Sequence, residues 1–122
     1  MKIFNEIKLA QELIRFPTVK TEDKGIMKFL SRKLSSIGFR CKIIKSKGIG
    51  QKSALNLYAK YGNSKRHINF LGHTDVVANL NNWKIPPFKG VVRKGYLNGR
   101  GSQDMKGGIA CFISAISKFI KN

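Results

Sequence analysis

His73 and Asp75 stand one residue apart in "NFLGHTDVV", residues 69–77, and they are the first pair in the chain whose types and spacing could do chemistry. In an extended backbone alternate residues share a side, so the imidazole and the carboxylate would face the same way. A carboxylate beside an imidazole can accept its second N–H. That fixes the tautomer and raises the basicity of the nitrogen left to face a metal ion. The same letters also suit a surface loop in which Asp75 only closes a turn. A second carboxylate, Asp104, lies in "GRGSQDMKGG", residues 99–108. Glycines at 99, 101, 107 and 108 let backbone approach closely or adopt positive φ. From Lys24 onward, Asp75 and Asp104 are the only acidic residues.

The Gly-rich segment does not fit a phosphate cradle. Asp104 occupies the place of the third glycine in Gly-x-Gly-x-x-Gly, and no Gly-Lys-Ser/Thr occurs anywhere. A carboxylate inside such a loop would repel a phosphate and suits a cation better. The plainer alternative is a flexible loop whose aspartate caps the following helix. His67 is the other histidine. Six residues of strand would put it about 20 Å from His73, so it is expected to be a surface or satisfied histidine and not a second ligand.

These residues need elements to position them. Residues 4–15 place Phe4, Ile7, Ala10, Leu13 and Ile14 at helical spacing, and Pro17 breaks the run. "TEDKGIMKFLSRKLSSIGF" predicts a second helix, capped by Thr21 or Asp23, with acids in its first turn and Gly38 at its end. Its buried stripe would be Ile26, Phe29, Leu30, Leu34 and Ile37. A strand over 39–45 follows, then a polar Gly-containing loop, "SKGIGQKS", and a strand over "ALNLYAKYG". Residues 67–73 read as a largely buried strand with His73 at its C-terminal end, where ligands gather in open α/β sheets. "TDVVANLNNWKIPPF" is a long irregular segment. "GVVRKGYLNGR" predicts a hairpin turning at Lys94-Gly95, and "IACFISAISKFI" a final apolar helix. The order helix, helix, three strands, hairpin, helix suits a mixed α/β layer.

Composition narrows the class. The chain has 122 residues, of which 24 are Lys or Arg and 6 Asp or Glu, a formal net charge of +18. So basic a chain raises a nucleic-acid partner. Its lysines are scattered, however, without a dense block or interleaved aromatic residues, so a basic nucleic-acid-binding protein is the alternative reading of another class and not the leading one. Cys41 and Cys111 are 70 residues apart with no Cys-x-x-Cys, which excludes a zinc ribbon or a thioredoxin-like motif. They read as reduced thiols of a cytoplasmic protein. No apolar run reaches the length of a transmembrane helix, and the N-terminus has no signal-peptide core. No membrane partner is expected.

Taken in order, "GHTDVV", "WKIPPF" and "GYLNGRGSQDMKGGIA" resemble the co-catalytic zinc metallopeptidase family of aminoacylases, carboxypeptidases and desuccinylases. "LIRFPTVKTEDKGIMKFLSRKLSSIGF" is similar to the opening helices of the family's desuccinylases. The resemblance implies a three-layer α/β catalytic domain with a mixed sheet, of which residues 1–122 are the N-terminal portion; the dimerisation domain and the C-terminal part are absent. It implies that His73 ligates one zinc, that Asp75 orients His73, and that Asp104 bridges two zinc ions, with cobalt or manganese as possible substitutes. The implied substrate is a small N-acyl amino acid, N-succinyl-diaminopimelate, cleaved to succinate and diaminopimelate in lysine and cell-wall precursor synthesis. Other deacylases or peptidases of the family are the alternative. Full-length members are expected to be homodimers. The segment "VVANLNNW" lacks the proline and glycine common after the family's aspartate pair, which alters the entrance loop. The family's Glu-Glu pair, its further acidic ligand and its late histidine have no counterpart: no acid follows Asp104 and no histidine follows His73. The chain alone is therefore expected to be inactive, since loss of a general base costs about 10² to 10⁴ in rate.

Overall fold

The computed structural model describes residues 2–20, 22–47 and 53–122. Helix α1, Glu6–Ile14, starts at Asn5, whose side-chain oxygen accepts the Lys8 amide at 2.9 Å. Leu9, Ala10, Leu13 and Ile14 form its buried face. Phe4 is buried just ahead of it, whereas Ile7 lies off this stripe and is exposed. Helix α2, Ile26–Ser35, begins after Gly25 in the left-handed region. Asp23 caps it as expected, its two oxygens accepting the Gly25 and Met27 amides at 2.8 and 3.3 Å. Glu22 and Asp23 precede the first turn and do not fill it. Thr21, the other expected cap, lies outside the described residues, as do residues 48–52 of the polar loop. Gly38 ends the helix at a φ of 93°, and Ile26, Leu30, Leu34 and Ile37 are buried.

Strands β1, Arg40–Ser46, and β2, Ala54–Lys60, pair antiparallel with Ile43 opposite Leu57. Helix α2 packs on this ladder. The hairpin is β3, Val91–Arg93, and β4, Tyr96–Asn98. Its two turn residues, Lys94 and Gly95, have φ of 51° and 78°, the twist a two-residue hairpin requires. A kinked turn, Ser102–Lys106, with non-helical backbone at Asp104 and Met105, leads into α3, Gly107–Lys121. Helices α1 and α3 pack together, and Leu9, Leu13, Leu30, Ile109 and Ile113 share one core.

Residues 67–73 depart from expectation. They belong to no strand ladder, and Ile68 and Leu71 are 91% and 94% exposed. The physical reason is the absence of a neighbour: among the described residues β1 and β2 pair only with each other, and β3 with β4. Phe70 of this run stacks on Phe112 of α3 at 4.3 Å between centroids. The first pairing comes after it, in a single parallel bridge between Val19 and Val76.

Candidate metal centre

His73 stands where the extended run ends, and Asp104 sits with extended backbone (φ -122°, ψ 95°) at the kink of the turn that precedes α3. The two segments meet tightly. A Cβ on Gly72 would sit 2.9 Å from the Phe70 ring and 3.2 Å from Ile109, so any larger residue would have to displace those side chains for the run to approach the start of α3 as closely. The His73 backbone amide donates to the Met105 thioether at 3.4 Å. The Asp104–Met105 peptide is cis.

The result is one imidazole between two carboxylates. His73 Nε2 lies 3.0 Å from Asp104 Oδ1. Its Nδ1 lies 3.3 Å from Asp75 Oδ1 and 3.2 Å from the Asp75 carbonyl. The alternation argument for His73 and Asp75 therefore holds, and the structure also brings Asp104 to the same ring across 31 residues of sequence. His67 is exposed and takes no part. Cys41 and Cys111 are free cysteines.

The polar partners of the ring nitrogens, Asp104 Oδ1, Asp75 Oδ1 and the Asp75 carbonyl, are all acceptors, so both ring nitrogens are called on to donate. Partial desolvation pulls the His73 pKa down. The hydrogen bond to Asp104, the Asp75 carbonyl and the charges of both aspartates outweigh it and raise the pKa above its ordinary value. An arrangement that favours a proton between Nε2 and Oδ1 also favours a cation there. Two ligands of one tetrahedral zinc ion, each about 2.0–2.1 Å from it, lie about 3.3 Å apart, close to the spacing seen. His73 and Asp104 thus fit as two ligands of an ion. Among the described residues no group of three or more His, Cys, Asp or Glu gathers around such a point.

A cavity of about 380 Å³ adjoins this pair, bounded by Asp75, Val77, Trp83, Arg100 and Gln103. The Arg100 guanidinium lies 5.1 Å over the Trp83 ring and donates to the Asn79 carbonyl, which holds the irregular segment against the Gly-rich turn. Sequence reasoning passed over Lys106, which is completely buried. Its spacing from Ile109, Ala110 and Ile113, on the buried face of α3, is the signal that could have found it. Burial lowers its pKa to about 8.

One family match, two relatives and one solved structure bear on what the chain is similar to. Residues 70–122, which include His73, Asp75 and Asp104, match Peptidase family M20/M25/M40. The chain is 46% identical over 122 residues to succinyl-diaminopimelate desuccinylase of Pelagibacter ubique (strain HTCC1062), covering 98% of this chain and 32% of that protein. It is 42% identical over 118 residues to the enzyme of the same name from Anaplasma marginale (strain Florida), covering 97% and 31%. In structure it is similar to human carnosine dipeptidase 1, with a TM-score of 0.84 at 20% identity, over 95% of this chain and 28% of that one. That likeness establishes the shared α/β fold. The chain spans about a third of the length of the curated relatives it matches. Residues 70–122 of the chain match Peptidase family M20/M25/M40, and over nearly all of its length the chain is similar to about a third of a succinyl-diaminopimelate desuccinylase.

Proposed function

We propose that residues 1–122 act as the N-terminal portion of a metal-dependent amidohydrolase domain of the desuccinylase kind, working in the cytoplasm, and that they carry half of its metal centre. In this reading His73 and Asp104 are ligands and Asp75 orients His73. The observation that carries it is the His73 Nε2–Asp104 Oδ1 approach of 3.0 Å with Asp75 on the opposite ring nitrogen. The similarity to succinyl-diaminopimelate desuccinylases supports the substrate, N-succinyl-diaminopimelate, with water added across its amide to give succinate and diaminopimelate. Zinc is the proposed metal, two ions in a complete site, with cobalt or manganese as substitutes.

Each residue has a physical part. Asp75 accepts the Nδ1 proton and so leaves the Nε2 lone pair for the ion. Asp104 brings the negative charge that two neighbouring cations need between them. A divalent ion bound here would supply a hydroxide near neutral pH and polarise the amide carbonyl. The cavity beside Trp83 and Arg100 gives room next to the pair for part of a small substrate.

Calorimetric titration of zinc into the 122-residue chain tests the assignment. Wild type should bind, His73→Ala and Asp104→Asn should abolish the heat, and Asp75→Asn should weaken affinity about 10- to 100-fold. Equal zinc affinity in wild type and Asp104→Asn would remove Asp104 from the site and take the reading with it.

A further inference from the structure

His73 and Asp104 meet only because two loops far apart in sequence are held against each other, and both loops are bonded to one short segment, residues 16–20. Pro17 ends α1 without an amide to continue it, and residues 16–20 then bond to both loops. Toward the histidine loop, the Thr18 hydroxyl donates to the Thr74 carbonyl at 2.5 Å. The Val76 amide donates to the Thr18 carbonyl at 2.9 Å, and the Lys20 amide to the Val76 carbonyl at 3.2 Å. Toward the aspartate loop, the Lys106 ammonium donates to the Phe16 carbonyl at 2.7 Å. That carbonyl also accepts the Thr18 amide at 2.8 Å. A continuous path therefore runs from Asp104 through Lys106, Phe16 and Thr18 to Thr74, the neighbour of His73.

Both side chains in this path are enclosed, Thr18 at 1% exposure and Lys106 at 0%. Among the described hydrogen bonds and ion pairs the Lys106 ammonium has one partner, a neutral carbonyl. An ammonium in such surroundings is a poor source of stability, and an apolar side chain of similar length would fill the same space at less cost. The lysine's use must then lie in where it fixes the loop. We propose that Thr18 and Lys106 are positioning residues, which act through residues 16–20 to set His73 and Asp104 at the separation at which they can share one cation. What the pair binds rests on the metal reading above; how the pair is held does not.

The test reads the pair directly. The ¹⁵N resonance of His73 Nε2 is measured in the metal-free 122-residue chain at one fixed pH, with Asp104→Asn marking the position of the broken contact and His67 as an internal reference. Lys106→Met and Thr18→Val should each move the resonance at least halfway to the Asp104→Asn position, while Thr18→Ser, which keeps the hydroxyl, should stay with wild type. The urea midpoint of Lys106→Met should hold or rise. Folded Lys106→Met and Thr18→Val proteins with a wild-type resonance would overturn the proposal, as would a Thr18→Ser shift as large as that of Thr18→Val. If Thr18→Val does not fold, Lys106→Met decides by the same criterion; loss of folding in Lys106→Met would assign that lysine to stability and equally overturn its role. Zinc titration of the same proteins separates the two readings. No zinc binding by wild type, with the shift pattern as expected, sinks the metal centre and leaves the strap standing. A wild-type zinc affinity that Lys106→Met fails to weaken, against an expected loss of about tenfold, sinks the strap.

Discussion

Gly101 is one of the places where the two loops of the candidate centre touch. It has a φ of 81°, and a Cβ there would sit 2.6 Å from the Val76 side chain. Its carbonyl also accepts the Lys106 amide at 2.8 Å, which closes the turn that presents Asp104. Alanine would meet two penalties together, a left-handed backbone that L residues avoid and an overlap with a buried valine. A cost of about 1–3 kcal/mol follows from the strain alone. We expect Gly101→Ala to lower the urea unfolding free energy by that much or more. The overlap pushes the Asp104 turn away from the Val76 loop, so zinc affinity should fall together with stability. A Gly101→Ala protein as stable as wild type would mean that the loops are not packed as described.

The helices are joined by hydroxyls as well as by apolar packing. The Phe4 amide donates to Ser117 Oγ at 3.1 Å, and Ser117 in turn donates to the Ser114 carbonyl at 2.7 Å. Ser114 Oγ lies 2.7 Å from the Phe4 carbonyl and 2.8 Å from Glu6 Oε2. The chain entering α1 is thus tied to α3 in a buried setting. Ser117→Ala would leave the Phe4 amide buried without this acceptor, a loss of about 1–3 kcal/mol by urea unfolding. Glu6 adds a pH dependence. Its own backbone amide, then Ser114 and Lys118, hold its carboxyl below the usual value. A carboxylate whose folded pKa is depressed binds fewer protons folded than unfolded, so its contribution is present above the ordinary glutamate pKa, about 4.3, and is lost as pH falls through the folded value. The difference in stability between wild type and Glu6→Gln should therefore shrink on acidification from pH 6 to 3; a difference that stays constant would contradict it. Elements of this kind were legible in the sequence to different depths. Apolar spacing and terminal glycines place α1, α2, α3 and the hairpin, because these depend on neighbours within a few residues. Residues 67–73 announce burial by composition, yet composition does not say what lies alongside, and no ladder forms. At the site, period-two alternation brought Asp75 to His73. The Asp104 contact was reachable only by resemblance, since the two residues are 31 positions apart. Thr18 gave no signal, for its hydroxyl acts on a carbonyl 56 residues away.

Across the whole molecule, apolar surface and charge pull in opposite directions. A groove of about 1010 Å³ opens between β2, the run at 68–75, α2 and α3, with Leu30, Leu57, Phe70 and Ile113 on its walls. The run at 67–73 has no ladder partner among the described residues, and Ile68 and Leu71 point to solvent beside it. Unpaired extended backbone next to exposed apolar side chains is a template for association between copies. A net charge of +18 works against it, because copies of a strongly cationic chain repel at long range. Salt decides which term wins. At about 0.01 M ionic strength the Debye length is roughly 30 Å and repulsion spans the gap between molecules, whereas at 0.15 M it falls to about 8 Å and the apolar contact is left unopposed. Sedimentation velocity should therefore show a monomer at low salt and larger species as salt is added. Ile68→Lys with Leu71→Lys should keep the chain monomeric through the same range, while a charge pair placed on the far face of α3 should not. Oligomers that dissolve when salt is added would instead mean that charge holds the copies together and that the groove takes no part.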